Sequence, residues 1–125
     1  MVQRYMDAHA RADAAAVIEL LGKDVRFSMP PTQARFEGRP AVAAFFVDLF
    51  GVGNPGDWRL VPTRANGQPA VANYVRAWGE TEFLATTLDV LRIESGRLIE
   101  ITTFDARTFP AFGLPLTWTG SEPKQ

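Results

Sequence analysis

Acid–base chemistry needs ionisable groups held against apolar walls, and this sequence offers few candidates. Asp105 ends an apolar run, with Thr103 two residues before it. On a strand the two would share a face, which makes Asp105 a candidate general acid or base at the mouth of a hollow. The competing reading is a cap for the Arg107–Thr108 turn, since aspartate favours turns and helix starts. Asp89 and Glu100 fall on the other face of the same hairpin, and neighbouring carboxylates can share a proton. Their competing reading is an exposed outer face or a dimer rim. Arg92 falls on the face opposite Glu100, which makes it a poor partner. His9 lies on an apolar helix stripe, where it either meets a ligand or is a packed core histidine. Tyr74, Arg64 and Trp78 offer a hydroxyl, a cation and a flat apolar wall, and Met29 completes the candidate lining; aromatic residues in strands more often serve as plain core. The segment Gly51-Val52-Gly53-Asn54-Pro55-Gly56 lacks the lysine and the strand-to-helix context of a phosphate loop, so it reads as a connection.

These faces follow from a long hairpin over Glu80 to Asp105, in which two apolar runs flank Ser95-Gly96. A two-residue loop there pairs Glu94 with Arg97, Leu88 with Thr103 and Thr86 with Asp105. Neither face is cleanly polar, so both are expected to be covered, one by the chain's own helices and the other by a second subunit or the rest of a longer protein. A second hairpin is predicted over Asp57–Ala65 and Pro69–Trp78, around Asn66-Gly67. Upstream, apolar spacing predicts a helix over Val2–Arg11. It has no capping residue ahead of it, which suggests a start partway into a helix or a chain cut from a longer one. Asp13 caps a predicted second helix, Ala14–Leu21, ended by Gly22. Short strands at Val25–Met29 and Arg35–Glu37 follow, then a third helix over Ala41–Phe50 opened by Gly38-Arg39-Pro40. Thr108–Phe112 reads as a short helical turn, and residues 117–125 as a tail. Helices first and a meander of long strands after them give an α+β layer fold. A curved, mixed but mainly antiparallel sheet packed on three N-terminal helices would form a cone-shaped roll able to hold a ligand. The 125 residues are read as one domain.

Bulk properties exclude several classes. The formal net charge is −1 and no basic run exists, which argues against direct nucleic-acid or anionic-membrane binding. There is no cysteine, hence no disulfide framework or thiolate chemistry, and the single histidine excludes a multi-histidine metal site within one chain. No metal or cofactor is expected. No apolar run approaches the roughly 20 residues that span a bilayer, and cytoplasm is the default location.

Several motifs carry a family resemblance. Asp13…Leu20-Leu21…Asp24-Val25-Arg26-Phe27, Gly38-Arg39-Pro40-Ala41-Val42 and Gly96-Arg97-Leu98-Ile99-Glu100-Ile101 resemble the SnoaL-like branch of the nuclear-transport-factor-2-like superfamily. A narrower match lies in Asp57–Ala70, Phe109–Pro115 and Phe27-Ser28-Met29-Pro30-Pro31, which look like the C-terminal domain of certain bacterial extracytoplasmic-function (ECF) RNA polymerase sigma factors. The resemblance implies a non-catalytic accessory domain that modulates sigma regions of the same polypeptide, with a pocket for a small apolar ligand. The alternative it implies is a stand-alone cyclase, isomerase or hydrolase, with Asp105 as the catalytic group. The Asp-Arg-Asp arrangement of the superfamily's epoxide hydrolases has no counterpart at the right spacing. The outer sheet face is a candidate surface for a homodimer.

Overall fold

The computed structural model describes residues 1–118. Three helices, α1 (Val2–Ala10), α2 (Ala14–Ile18) and α3 (Arg39–Phe50), pack on one face of a curled sheet. Its strands are β1 (Leu21–Ser28), β2 (Arg35–Glu37), β3 (Gly56–Ala65), β4 (Gln68–Ala77), β5 (Phe83–Glu94), β6 (Arg97–Asp105) and β7 (Thr117–Trp118). The order across the sheet is β2-β1-β6-β5-β4-β3, with β7 added to the first residues of β5. Among the described residues only β1 and β6 run parallel; every other pairing is antiparallel. This is the mixed, mainly antiparallel α+β architecture read from the element order.

Local chemistry explains most boundaries. The Asp13 side chain accepts from the Ala16 amide at 3.1 Å and so caps α2. Both long hairpins turn on two residues with positive φ, Asn66-Gly67 (53° and 79°) and Ser95-Gly96 (52° and 74°). That is the backbone a two-residue turn needs to match strand twist. The expected end of α2 at Leu21 is corrected. The helix stops at Ile18, and Leu21 and Gly22 open β1 instead. Leu98 donates its amide to the Leu20 carbonyl at 2.8 Å and pairs with Leu21, so the β6 ladder overrides the local stop signal. Gly22 is a point of close backbone approach, where an added Cβ would lie 3.2 Å from the Leu98 oxygen.

The predicted register of the main hairpin holds only near its turn. Glu94 pairs with Arg97 and Ile93 with Leu98, but Arg92 then pairs with Glu100, leaving Ile99 as an extra residue in β6. This β-bulge moves the register by one and exchanges the faces of everything beyond it. Asp89 is therefore opposite Thr103, not Thr102, and Leu88 is opposite Phe104. Leu98 and Ile101, three apart, both join the helix-side core. Arg92 shares a face with Glu100 and lies 3.7 Å from it, which corrects the reading that set them on opposite faces. A second bulge leaves Thr86 unopposed, between the pairs Asn73–Thr87 and Tyr74–Ala85.

Two apolar clusters result. On the helix side, Tyr5, Val17, Leu21, Phe46, Leu91 and Leu98 belong to one core. On the far side, Ala72, Tyr74, Phe83, Leu88 and Phe109 form another. The chain itself covers part of that far face, with a 3₁₀ helix over Ala106–Phe112 and with β7. Thr117 and Trp118, expected to begin a tail, pair instead with Leu84 and Phe83; the rest of the expected tail, 119–125, lies outside the described residues. Among the described residues, no helix is long and apolar enough to cross a membrane.

Candidate functional site

Between the helices and the sheet lies a cavity of about 180 Å³. Its wall is apolar, from Phe27 of β1 and Met29 just beyond it, Phe45, Phe46 and Leu49 of α3, and Trp58 of β3. Its floor is polar and comes from four elements. Tyr5 and His9 are four residues apart on α1, so they share one helix face, and the imidazole Nδ1 is 3.2 Å from the Tyr5 hydroxyl. Asn73 comes from β4, Asp89 from β5 and Thr103 from β6. The β6 bulge is what aims Thr103 at Asp89.

The buried Asp89 carboxylate is the centre of this floor. Tyr5 donates to Oδ2 at 2.7 Å, Asn73 Nδ2 to the same oxygen at 2.9 Å, and Thr103 to Oδ1 at 2.8 Å. Asn73 Nδ2 also donates to Thr87 at 2.9 Å. These bonds fix the remaining hydrogens. A carboxylate only accepts, so the Tyr5 proton points to Asp89, and the Tyr5 oxygen must receive a proton from His9 Nδ1. The tautomer thereby assigned leaves His9 Nε2 as a bare lone pair. The same logic makes Asn73 Nδ2 the donor, and its Oδ1 the free end. His9 Nε2 and Asn73 Oδ1 are both buried and have no hydrogen-bond partner among the described residues.

The electrostatics follow from burial. His9 is only 3% exposed, and desolvation lowers its pKa to about 4, against a smaller opposing pull from Asp89. Its imidazole is neutral at pH 7, packed edge-on against Trp58 and Phe50, with ring centroids 4.5 and 4.9 Å away. Burial first, then the Asp89 charge, pushes the Tyr5 hydroxyl well above its usual range, so it stays a donor. The arrangement can accept hydrogen bonds from a guest and can take a proton at Nε2. Among the described residues, no group of three or more His, Cys, Asp or Glu side chains converges to hold a metal ion.

Of the residues singled out from sequence, His9, Met29 and Thr103 line this cavity. The other four lie elsewhere. Asp105 caps the 3₁₀ helix, accepting from the Arg107 amide at 2.9 Å and pairing with its guanidinium at 2.7 Å. The Arg107 bonds hold its pKa below the usual carboxylate value, the opposite of the raised value expected of a general acid. Tyr74 is buried on the far face and donates to the Pro115 carbonyl at 2.7 Å. Arg64 donates to the Gly67 carbonyl within its own hairpin, and Trp78 is 64% exposed. Sequence reasoning missed Tyr5, Asn73 and the orientation of Asp89. The Tyr5–His9 spacing was a readable signal; the direction of Asp89 was hidden by the bulges.

A curled sheet closed over N-terminal helices, with a hollow between them, defines the cone fold of nuclear-transport-factor-2-like proteins. Within that class the chain belongs to the SnoaL-like domain family, which it matches over residues 2–101. It is 34% identical over 116 residues to the ECF RNA polymerase sigma factor SigG of Mycobacterium tuberculosis (strain ATCC 25618 / H37Rv), covering 92% of this chain and 31% of that one. The chain thus spans about a third of its curated relative. Among solved structures it is similar to an NTF2-like protein of unknown function from Mesorhizobium loti, with TM-score 0.67, 18% identity, and 83% of this chain and 86% of that one covered. A steroid delta-isomerase from Pseudomonas aeruginosa shares the fold at TM-score 0.64 and 18% identity, over 82% of this chain and 74% of that one.

Proposed function

We propose that this chain is the accessory domain of an ECF RNA polymerase sigma factor, modulating sigma regions of the same polypeptide in the cytoplasm, and that its cavity admits a small ligand. The observation that carries this reading is the 34% identity to SigG along 92% of the chain. The low net charge fits a domain that acts through protein surface and ligand rather than by gripping DNA. The part of the far face around Arg92 and Glu100, beyond the 3₁₀ cover, is where the sigma regions or a second copy would dock. The test is transcription from a cognate promoter by the full-length factor, with and without this domain. A several-fold change in output supports the reading; equal output with equal protein levels overturns it.

One observation favours a second reading, an acid–base enzyme of the SnoaL-like type. His9 lines the cavity, its buried Nε2 has no partner among the described residues, and its ring is backed through Tyr5 by Asp89. Turnover of cyclic or epoxide substrates that disappears in His9→Phe would establish it, and no turnover across such a panel would remove it.

A further inference from the structure

The hydrogen-bonding sense of the cavity floor specifies more than its size. Two buried atoms of residues that line it, His9 Nε2 and Asn73 Oδ1, have no partner among the described residues, and both are acceptors. A guest that satisfies them must bring N–H or O–H donors, because leaving buried polar atoms unpaired costs free energy. The Asp89 carboxylate is held by three neutral donors, and no Arg or Lys is among the described residues that line the cavity. The walls present the rings of Phe27, Phe45, Phe46 and Trp58, and aromatic faces attract cations. About 180 Å³ accommodates one six-membered ring with a short substituent; a cavity of roughly 150 Å³ is known to hold benzene.

We propose that the cavity is a receptor for a small protonated organic amine, its ring-sized apolar body against Trp58 and the α3 phenylalanines and its ammonium hydrogens donated to His9 Nε2 and Asn73 Oδ1, beside the Asp89 carboxylate. An ammonium group has three donors and no acceptor, which matches a floor of acceptors around a carboxylate. A neutral alcohol supplies a donor without the counter-charge. A carboxylate ligand would set acceptor against acceptor and anion against anion. The inference rests on the ligand-admitting part of the function proposed above; transcription tests the sigma-modulating part, so the two can fail separately.

Three probes of one shape decide it: benzylamine, benzyl alcohol and benzoate, each titrated into the 125-residue chain near pH 7 and followed by calorimetry and by amide shifts. Benzylamine should saturate the site about tenfold or more tighter than benzyl alcohol, with the largest shifts at His9, Trp58 and Asn73, because hydrogen bonds to a charged group are the stronger ones. Benzoate should not bind. His9→Phe and Asn73→Leu should each weaken benzylamine about tenfold with the chain still folded by circular dichroism. Asp89→Asn, which keeps the side-chain shape, should abolish the preference for amine over alcohol. Equal binding of amine and alcohol, tighter binding of benzoate, shifts away from the cavity, or no binding of benzylamine at millimolar concentration would each overturn the proposal.

Discussion

Tyr5 and Tyr74 are both fully buried, and each donates one hydrogen bond of 2.7 Å. Their surroundings differ. Tyr74 lies on the far face, its ring edge-on to Phe109 at 5.4 Å, and its hydroxyl finds a backbone carbonyl. Tyr5 lies on the helix side, where its hydroxyl meets a carboxylate, with two unpartnered acceptors and a hollow nearby. The far-face arrangement spends its aromatic residues on cohesion. On the helix side the fold tolerates unmet hydrogen-bonding capacity, which is the usual mark of a surface shaped for something other than stability.

Substitutions can separate the two faces. The largest effect should come from Phe109→Ala, which empties a fully buried site on the far face and should cost about 4 kcal/mol in urea unfolding, while the folded fraction keeps its ligand affinity. Asp89→Ala strands three buried donors at once and should cost about 3 kcal/mol, but here binding falls as well. If Phe109→Ala also abolished binding, the division between the faces would be wrong.

Acidification should distinguish them next. The native His9 pKa of about 4 lies below the 6.5 of an unfolded chain, so between those values the unfolded state binds the extra proton. The His9 contribution is therefore complete above about pH 6.5 and drains away as pH falls, to a total of about 3 kcal/mol at most. Melting curves from pH 7 to pH 4 should show wild type losing more stability than His9→Phe; parallel curves would place His9 in contact with water. The smallest effect belongs to Asp105→Ala. It removes an exposed cap and ion pair and should barely move the melting temperature or the affinity for benzylamine.

Much of the fold was legible because local chemistry and global packing agree. Asn66-Gly67 and Ser95-Gly96 are turn dipeptides that the backbone requires, and Pro40 sits in the first turn of α3. The family resemblance read from the Asp13–Phe27 and Gly96–Ile101 motifs agrees with the match over residues 2–101. The site was less legible, for a definite reason. Strand faces read from alternation hold only if every residue is paired. Ile99 and Thr86 are ordinary strand formers, and nothing in their types announces an unopposed position. Asp89 was therefore set on the wrong face relative to Thr103, and Asp105 drew attention that its guanidinium partner does not support. The end of α2 was misread for a related reason: Gly22 resembles a stop signal but serves a parallel ladder in which Leu21 pairs with Leu98, 77 residues further along the chain.

The single unopposed residue in β6 has an evolutionary corollary. Because Ile93 already pairs with Leu98 and Arg92 with Glu100, loss of the Ile99 codon would close the ladder without rotating the distal half of that strand. Ile101 and Thr103 would keep their inward positions, opposite Leu91 and Asp89. A lineage carrying this scaffold could thus shed that codon and conserve the chemistry of its hollow, while an alignment that ignored the gap would assign such a relative the wrong inward set.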